Sequence, residues 1–217
     1  MASQSRRVVG NILLSLDGRV SGPGGPFDMS WIARHATTQV SRDHVLRVSA
    51  AATTALMGRR TYEGFAGFWP AVAADETADP SDREFSRWLN AVEKVVISTT
   101  VGAGSWHNTR ITADNPATVV TRLRERGSGD IVVLASANII RALLAAGELD
   151  QLSITLCPEL IGGGACLFDD TPAGSSWSLT EATPTPSGAI CLRYDRRLAT
   201  SDRARATFIA TPSGHDR

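Results

Sequence analysis

Strand and helix signals alternate along the first 147 residues, and this alternation constrains the fold more than any other feature. Val8 to Leu16, "TTALMG", "KVVIST" and "DIVVLA" are short β-branched or apolar runs. Such runs, punctuated by helical patterns, predict parallel strands buried on both faces, because each crossover helix must cover the sheet. The helical stretches lie at Ser30 to about Ala51, with Ser41 and His44 as an internal restart, and from Thr61 through Phe65. Ser81 is the expected cap of the helix carrying Phe85, Trp88 and Leu89. Pro116 fits the first turn of a helix reaching Arg126, and Asn138 to Ala146 stops at Gly147. Beyond that point "QLSITLCPEL", "ACLFDD", "WSLTEA" and "AICLRYDRR" read as consecutive strands, so the sheet is expected to be mixed.

The 217 residues suit one core, and residues 1–198 are expected to form a single domain followed by a mobile tail, 199–217. The 22 basic and 22 acidic residues cancel. That balance argues against nucleic acid or an anionic membrane and favours a small-molecule partner. Cys157, Cys166 and Cys191 have neither metal nor redox spacing and read as free thiols of a reducing cytoplasm. No run is long enough to span a bilayer, and the basic start "MASQSRRVVGNILLSL" lacks the pattern of a cleaved leader.

Three places invite a ligand. "LIGGGACLF" is either a tight connection needing positive φ at Gly162, Gly163 or Gly164, or a loop approaching a ligand; it runs into a strand signal, so the dinucleotide fingerprint fails. "LMGRRTYEGF" is a strand-to-helix junction where Gly58 permits close approach, Thr61 offers a hydroxyl and Arg59 or Arg60 offers charge to an anion. A surface helix start with solvated arginines is the bland alternative. "VVLASANIIRALL" is a second junction, with Ser136 and Asn138 as phosphate contacts or ordinary caps.

Taken in order, "SLDG", "GRRTYEGFAGFWP", "VVIST", "VLASANIIRALLAAGELDQL" and "CPELIGGGACLF" resemble the dihydrofolate-reductase-like family. Within it they look most like the C-terminal reductase domain of the bifunctional riboflavin biosynthesis protein, over about residues 6 to 197. The resemblance implies an α/β fold, a three-layer α/β/α domain around a mixed, mostly parallel sheet, and NADPH bound across the carboxyl ends of the strands. It implies a homodimer and hydride transfer to a small conjugated substrate, pterin-like or pyrimidine-like, as in dihydrofolate reductase or 5-amino-6-(5-phosphoribosylamino)uracil reductase. Carried over by position, Gly58, Arg59 and Thr61 meet the phosphates, Ser98 and Thr99 lie near the 2′-phosphate, Ser136, Ala137, Asn138 and Ile139 wrap the pyrophosphate, and Trp31 touches the cofactor. Trp31 reads equally well as a core anchor.

Two departures stand out. Ala135 and Ala137 occupy positions where relatives commonly have glycine, and no histidine begins the H-x-E zinc motif of the deaminase half. No metal is expected. Asp17 is the acidic candidate for proton donation, weighed against an ordinary turn aspartate before Gly18. Tyr62, Phe65, Phe68 and Trp69 suit a flat substrate or the core, and Leu134 stands where those reductases carry an acidic substrate contact. A catalytically silent NADP-binding protein of the same fold is the rival reading.

Overall fold

The computed structural model describes residues 6–100, 102, 104–168 and 174–197. The tail beyond 197, expected to be mobile, lies outside them. In chain order the elements are β1 Val8–Ser15, α1 Ala33–Ala36, α2 Gln39–Ala50, β2 Ala52–Gly58, α3 Arg59–Val72, α4 Pro80–Ala91 and β3 Glu93–Ile97. They continue with β4 Thr109–Thr112, α5 Pro116–Arg124, β5 Asp130–Leu134, α6 Ala137–Ala146, β6 Gln151–Cys157, β7 Trp177–Pro184 and β8 Ile190–Arg196.

All eight strands form one sheet in the order β4-β3-β2-β5-β1-β6-β8-β7. The six from β4 to β6 are parallel, and β8 and β7 close that side antiparallel. The expected three-layer, mostly parallel architecture is what the chain adopts. Alternate residues of each strand feed two cores. Ile131 and Val133 pack with Val120, Leu123, Ile140 and Leu143 of α5 and α6, whereas Val132 and Leu134 pack with Val48, Tyr62, Phe85 and Leu89 of α2, α3 and α4. Each fully buried Leu or Ile contributes roughly 1.5 to 3 kcal/mol through removal of apolar surface from water.

Several boundaries differ from the sequence expectation. The stretch from Ser30, read as one or two helices, is two, and α2 restarts at Thr38 rather than Ser41, the Thr38 side chain accepting a hydrogen bond from the Ser41 backbone N–H at 3.2 Å. Asp79, not Ser81, caps α4, with Pro80 in the first turn; the Ser81 hydroxyl accepts from Gln39 instead. "ACLFDD" makes no strand among its described residues, only an isolated bridge from Cys166 to Arg19, because left-handed Gly162 and Gly164 bend the chain just before it. The four-residue edge strand β4 was not foreseen. The C-terminal signal of α6 is as expected, with Gly147 left-handed at φ 74°.

Lys94, the only lysine, is fully buried at the foot of α4. Its Nζ donates to the carbonyls of Leu89 (2.7 Å) and Val92 (2.9 Å) and lies 4.8 Å from the centre of the Trp106 ring. The cation thus meets the negative end of the helix and an aromatic face, while burial pushes its pKa down to about 8.

Candidate functional site

Because six strands run the same way, Ser15, Gly58, Ile97, Leu134 and Cys157 all end on one edge of the sheet. The neighbours β2 and β5 send their following helices to opposite faces, α3 to one core and α6 to the other. Such a switch point leaves a crevice outside the carboxyl ends of the strands. One wall is high: β5 ends opposite Asn11, and β1 continues to Ser15 paired with β6. Four more residues project β1 roughly 13 Å beyond the floor.

The two junctions singled out in the sequence meet across this crevice. The Gly58 N–H donates to Ser136 Oγ at 3.0 Å, and the Thr61 hydroxyl donates to the Ala135 carbonyl at 3.0 Å. Ser136 Oγ is also 2.7 Å from the Leu134 carbonyl and 3.0 Å from Thr61 Oγ1, and its single proton serves one of them. Side chains of Thr38, Asp79 and Asn115 cap α2, α4 and α5, but no side chain caps α3 or α6. The first turn of α3 holds Arg59 and Arg60 and no acidic residue, so positive charge sits on the positive end of the dipole. That arrangement suits an anion. Arg59 is held meanwhile by Glu63, with oxygens 3.0 and 3.1 Å away. Ser98 and Thr99 follow β3 at the same edge, where Ser98 Oγ accepts from the Thr100 N–H at 3.1 Å. Asn138 is exposed in the first turn of α6, Ala137 half-buried and Ile139 buried in the core. Trp31 is half-buried before α1, and its Nε1, shielded from solvent, has no partner.

Ala135 adopts the left-handed conformation, φ 43°, that glycine adopts without cost. The backbone path expected of glycine is therefore kept by alanine, with strain of about 1 kcal/mol or somewhat more. Ala135→Gly is expected to raise stability by about 1 kcal/mol. Urea unfolding of the two proteins checks this, and an unchanged or lowered midpoint contradicts the strain.

Asp17 is a clamp. It accepts from the Ser15 hydroxyl (2.6 Å) and from the backbone N–H groups of Ile161 (3.1 Å) and Gly162 (2.8 Å). These bonds, the Ser15 one foremost, hold its carboxyl far below the ordinary range, so it has no proton to donate. The turn reading accounts for its contacts, and those contacts explain the glycine run: it is strapped to the loop that follows β1. Gly162 and Gly164 are left-handed and Gly163 is not, so the tight connection expected of the run takes its positive φ at the two outer glycines.

The aromatic residues are not at the crevice mouth. Tyr62 is buried, its hydroxyl accepting from the Trp106 N–H at 3.1 Å. Trp69 meets Phe85 edge-on at 4.8 Å and contacts Phe65 and Phe68, joining α3 to α4. At 1.5 Å per residue, Trp69 lies roughly 16 Å down α3 from Gly58. Leu134 is buried in the same core. Of the residues expected around the substrate, Tyr62 and Leu134 are thus buried in the core, and Phe65 and Trp69 are half-buried against it, drawn there by apolar contacts with α4.

A cavity of about 380 Å³ lies at the opposite edge, lined by Arg6, Thr53, Thr54, Glu93 and Arg126. Arg6 there donates to three carbonyls and two threonine hydroxyls, and it serves as a clip between elements. Among the described residues no three His, Cys, Asp or Glu gather as metal ligands, and no helix is long and apolar enough to cross a membrane.

The comparisons with known proteins agree with this geometry. The uncharacterized protein YyaP of Bacillus subtilis (strain 168) is 21% identical over 192 residues, 88% of this chain and 95% of that protein. Among solved structures, a candidate riboflavin biosynthesis protein from Shewanella sp. PV-4 superposes with a TM-score of 0.68 at 17% identity, covering 88% of this chain and 99% of the other. Dihydrofolate reductase from Enterococcus faecalis, solved with NADP(H), gives 0.56 at 13% identity, over 88% and 96%. At these identities the structures speak for the fold. The model of the RibD C-terminal domain matches residues 6–191, and the chain belongs to that family.

Proposed function

We propose that the protein is an NADPH-dependent reductase of a small conjugated substrate. The observation that carries this reading is the meeting of two uncapped helix N-termini, α3 and α6, at the β2/β5 crevice, with Arg59 and Arg60 beside them. A dinucleotide diphosphate fits such a place in chemistry and in size. Gly58, Thr61, Ser136 and the N–H groups of Ala137 and Asn138 would hold the pyrophosphate. Arg59, Arg60, Ser98 and Thr99 would favour a 2′-phosphate, and the unpartnered Trp31 N–H would serve the nicotinamide half. When bound, the cofactor supplies a hydride. This chain's part is to orient it against the projecting end of β1 and to deliver a proton.

NADPH is therefore expected to bind more tightly than NADH. A charge-assisted contact is worth roughly 1.5 to 3 kcal/mol, and Arg59 must first leave Glu63, an exposed pair worth about 1 kcal/mol or less. Arg59→Ala should erode the preference about tenfold while leaving the melting temperature nearly unchanged, as read by calorimetry and thermal unfolding. Equal affinity of the unaltered protein for the two nucleotides contradicts the proposal. Turnover with a reducible panel separates it from a silent nucleotide-binding protein.

A further inference from the structure

Reduction of a C=N or conjugated C=O group by hydride leaves an electron pair on nitrogen or oxygen, and that atom must take up one proton. With Asp17 locked as a carboxylate, few groups at this edge can deliver it. Asp28 is occupied by the Gly24 N–H and Ser30. Burial pushes the Cys157 thiol up to about 12. What remains among the described residues is a chain of three side chains, one each from α1, the segment after β6 and the β7–β8 turn.

Ser187, in the β7–β8 turn, has Oγ 2.9 Å from His35 Nδ1. His35, in α1, has Nε2 2.8 Å from Glu159 Oε1, just past β6. Arg34 donates to the same carboxylate oxygen, and Thr185 Oγ1 lies 2.9 Å from Ser187. Bonds from Arg34 and then His35 hold Glu159 below its usual range, so it stays an acceptor. From α2, Ser41 reaches His35 at its backbone carbonyl, 2.7 Å away, and not at the imidazole. His35 is wholly buried, whereas Ser187 is half-exposed and the Glu159 side chain one-fifth exposed, so both ends of the chain reach solvent and the middle does not.

The turn holding Ser187 lies at the same edge as the crevice, because β8 starts beside the end of β6. From β5 to β8 is three strand spacings, roughly 14 Å at about 4.8 Å each. That is the reach of the nicotinamide half of an extended dinucleotide plus a bound ring, starting from the pyrophosphate position at β2/β5.

We propose that Ser187, His35 and Glu159 form the proton relay of the reductase, with Ser187 as the group that meets the substrate; this rests on the reductase reading above. Arg34 Nε also lies 3.1 Å from His35 Nε2 with its N–H toward that nitrogen, so the loaded state needs Arg34 to turn wholly to the Glu159 carboxylate. In the loaded state both imidazole nitrogens carry protons, Nε2–H on Glu159 and Nδ1–H on Ser187 Oγ, and the serine proton points outward. On reduction the serine O–H bond breaks as its proton goes to the substrate nitrogen or oxygen. The Nδ1 proton passes to Ser187 Oγ, and the serine hydroxyl then donates back to neutral Nδ1. One proton from solvent, entering at the half-exposed Ser187 end as the serine passes its own proton to Nδ1, resets the chain, while Glu159 keeps the Nε2 proton in place throughout.

The test uses NADPH with menadione, dihydrofolate and 2-cyclohexen-1-one as hydride acceptors, and imidazole nitrogen NMR of the ligand-free protein. Ser187→Ala, on a surface turn, is expected to lower kcat about 100-fold, the usual worth of a positioned acid, with NADPH affinity within about twofold. Ser187→Thr, which keeps a hydroxyl, should recover most of it. The His35 imidazole nitrogen signals should move in both Ser187→Ala and Glu159→Gln, since each removes a partner of one ring nitrogen. If the unaltered protein reduces a probe and Ser187→Ala does so at the same rate and pH dependence, the relay is overturned and the reductase reading stands. If the His35 signals ignore both Ser187→Ala and Glu159→Gln, the relay is overturned as well. If the unaltered protein neither binds NADPH nor reduces any probe, both readings fall.

Discussion

Gly164→Ala is expected to cost on the order of 4 kcal/mol, and Gly162→Ala, two residues away, only about 1 kcal/mol. Both glycines are left-handed, at φ 84° and 70°, so both substitutions carry backbone strain. Their surroundings separate them. A Cβ at Gly164 would stand 2.0 Å from the Ser21 carbonyl oxygen and 2.6 Å from that of Gly22, whereas a Cβ at Gly162 meets nothing within 4 Å. The obstructing atoms are backbone, held by the Val20 N–H on the Ala165 carbonyl and the Leu167 N–H on the Gly18 carbonyl, so they cannot turn aside. Relief requires unzipping the loop after β1 from the glycine run. Gly163 is different again: its added Cβ would press on the Pro23 side chain at 3.1 Å without a strained φ. Urea unfolding of the three alanine variants should rank them 164, 163, 162 from worst to mildest. A Gly162 variant as unstable as the Gly164 one would show that strain, not overlap, governs the run.

The second large effect concerns acid. His44 is fully buried under α2, with Nε2 2.7 Å from Ser153 Oγ and Nδ1 without a partner, while Asn11 Nδ2 donates to the same serine at 3.0 Å. Burial, the largest cause, lowers its pKa to about 4, with Arg47 and Arg193 lowering it further and Glu181 opposing. An unfolded chain takes up this proton near 6.5 and the folded protein only near 4, so stability is lost as pH falls through that window. The whole window is worth about 3 kcal/mol at 1.36 kcal/mol per pH unit. His44→Gln keeps a polar group facing Ser153 and cannot charge. Its unfolding free energy should therefore fall less than that of the unaltered protein between pH 7 and pH 4.5, by about 2.5 kcal/mol. Parallel pH curves for the two proteins would contradict the assignment.

How far the sequence carries the reader depends on the distance over which each residue's partner lies. β5 was legible because four consecutive apolar positions, Ile131 to Leu134, can only be buried on both faces, and α6 because Gly147 marks its end. β4 was not: Thr-Arg-Ile-Thr at a sheet edge has one apolar residue and no contrast with the loops around it. Ser136 and Thr61 were legible as junction residues from local order alone. Their bond to one another spans 75 residues and needed the fold. Asp17 looked like a free acid in a turn because the N–H groups that hold it come from residues 161 and 162. Tyr62 and Trp69 were ambiguous for another reason: an aromatic side chain suits a core and a ligand pocket equally, and only the placement of α4 draws these two toward the core. The His35 to Ser187 pairing crosses 152 residues and left no mark in any local pattern.

The burial of Lys94 reaches beyond the core it serves. Because the chain has no other lysine and this one is wholly enclosed, the folded surface carries no ε-amine at all. Its many surface cations are guanidinium groups, which hold their charge at any pH a protein survives and take no acyl group. Lysine-specific proteases, enzymes that conjugate tags to lysine and reagents that acylate the ε-amine will find no lysine to act on in the native protein. Exposure of that single amine therefore reports the opening of the α4–β3 corner, and a modification that appears only as the chain loosens would time that event directly.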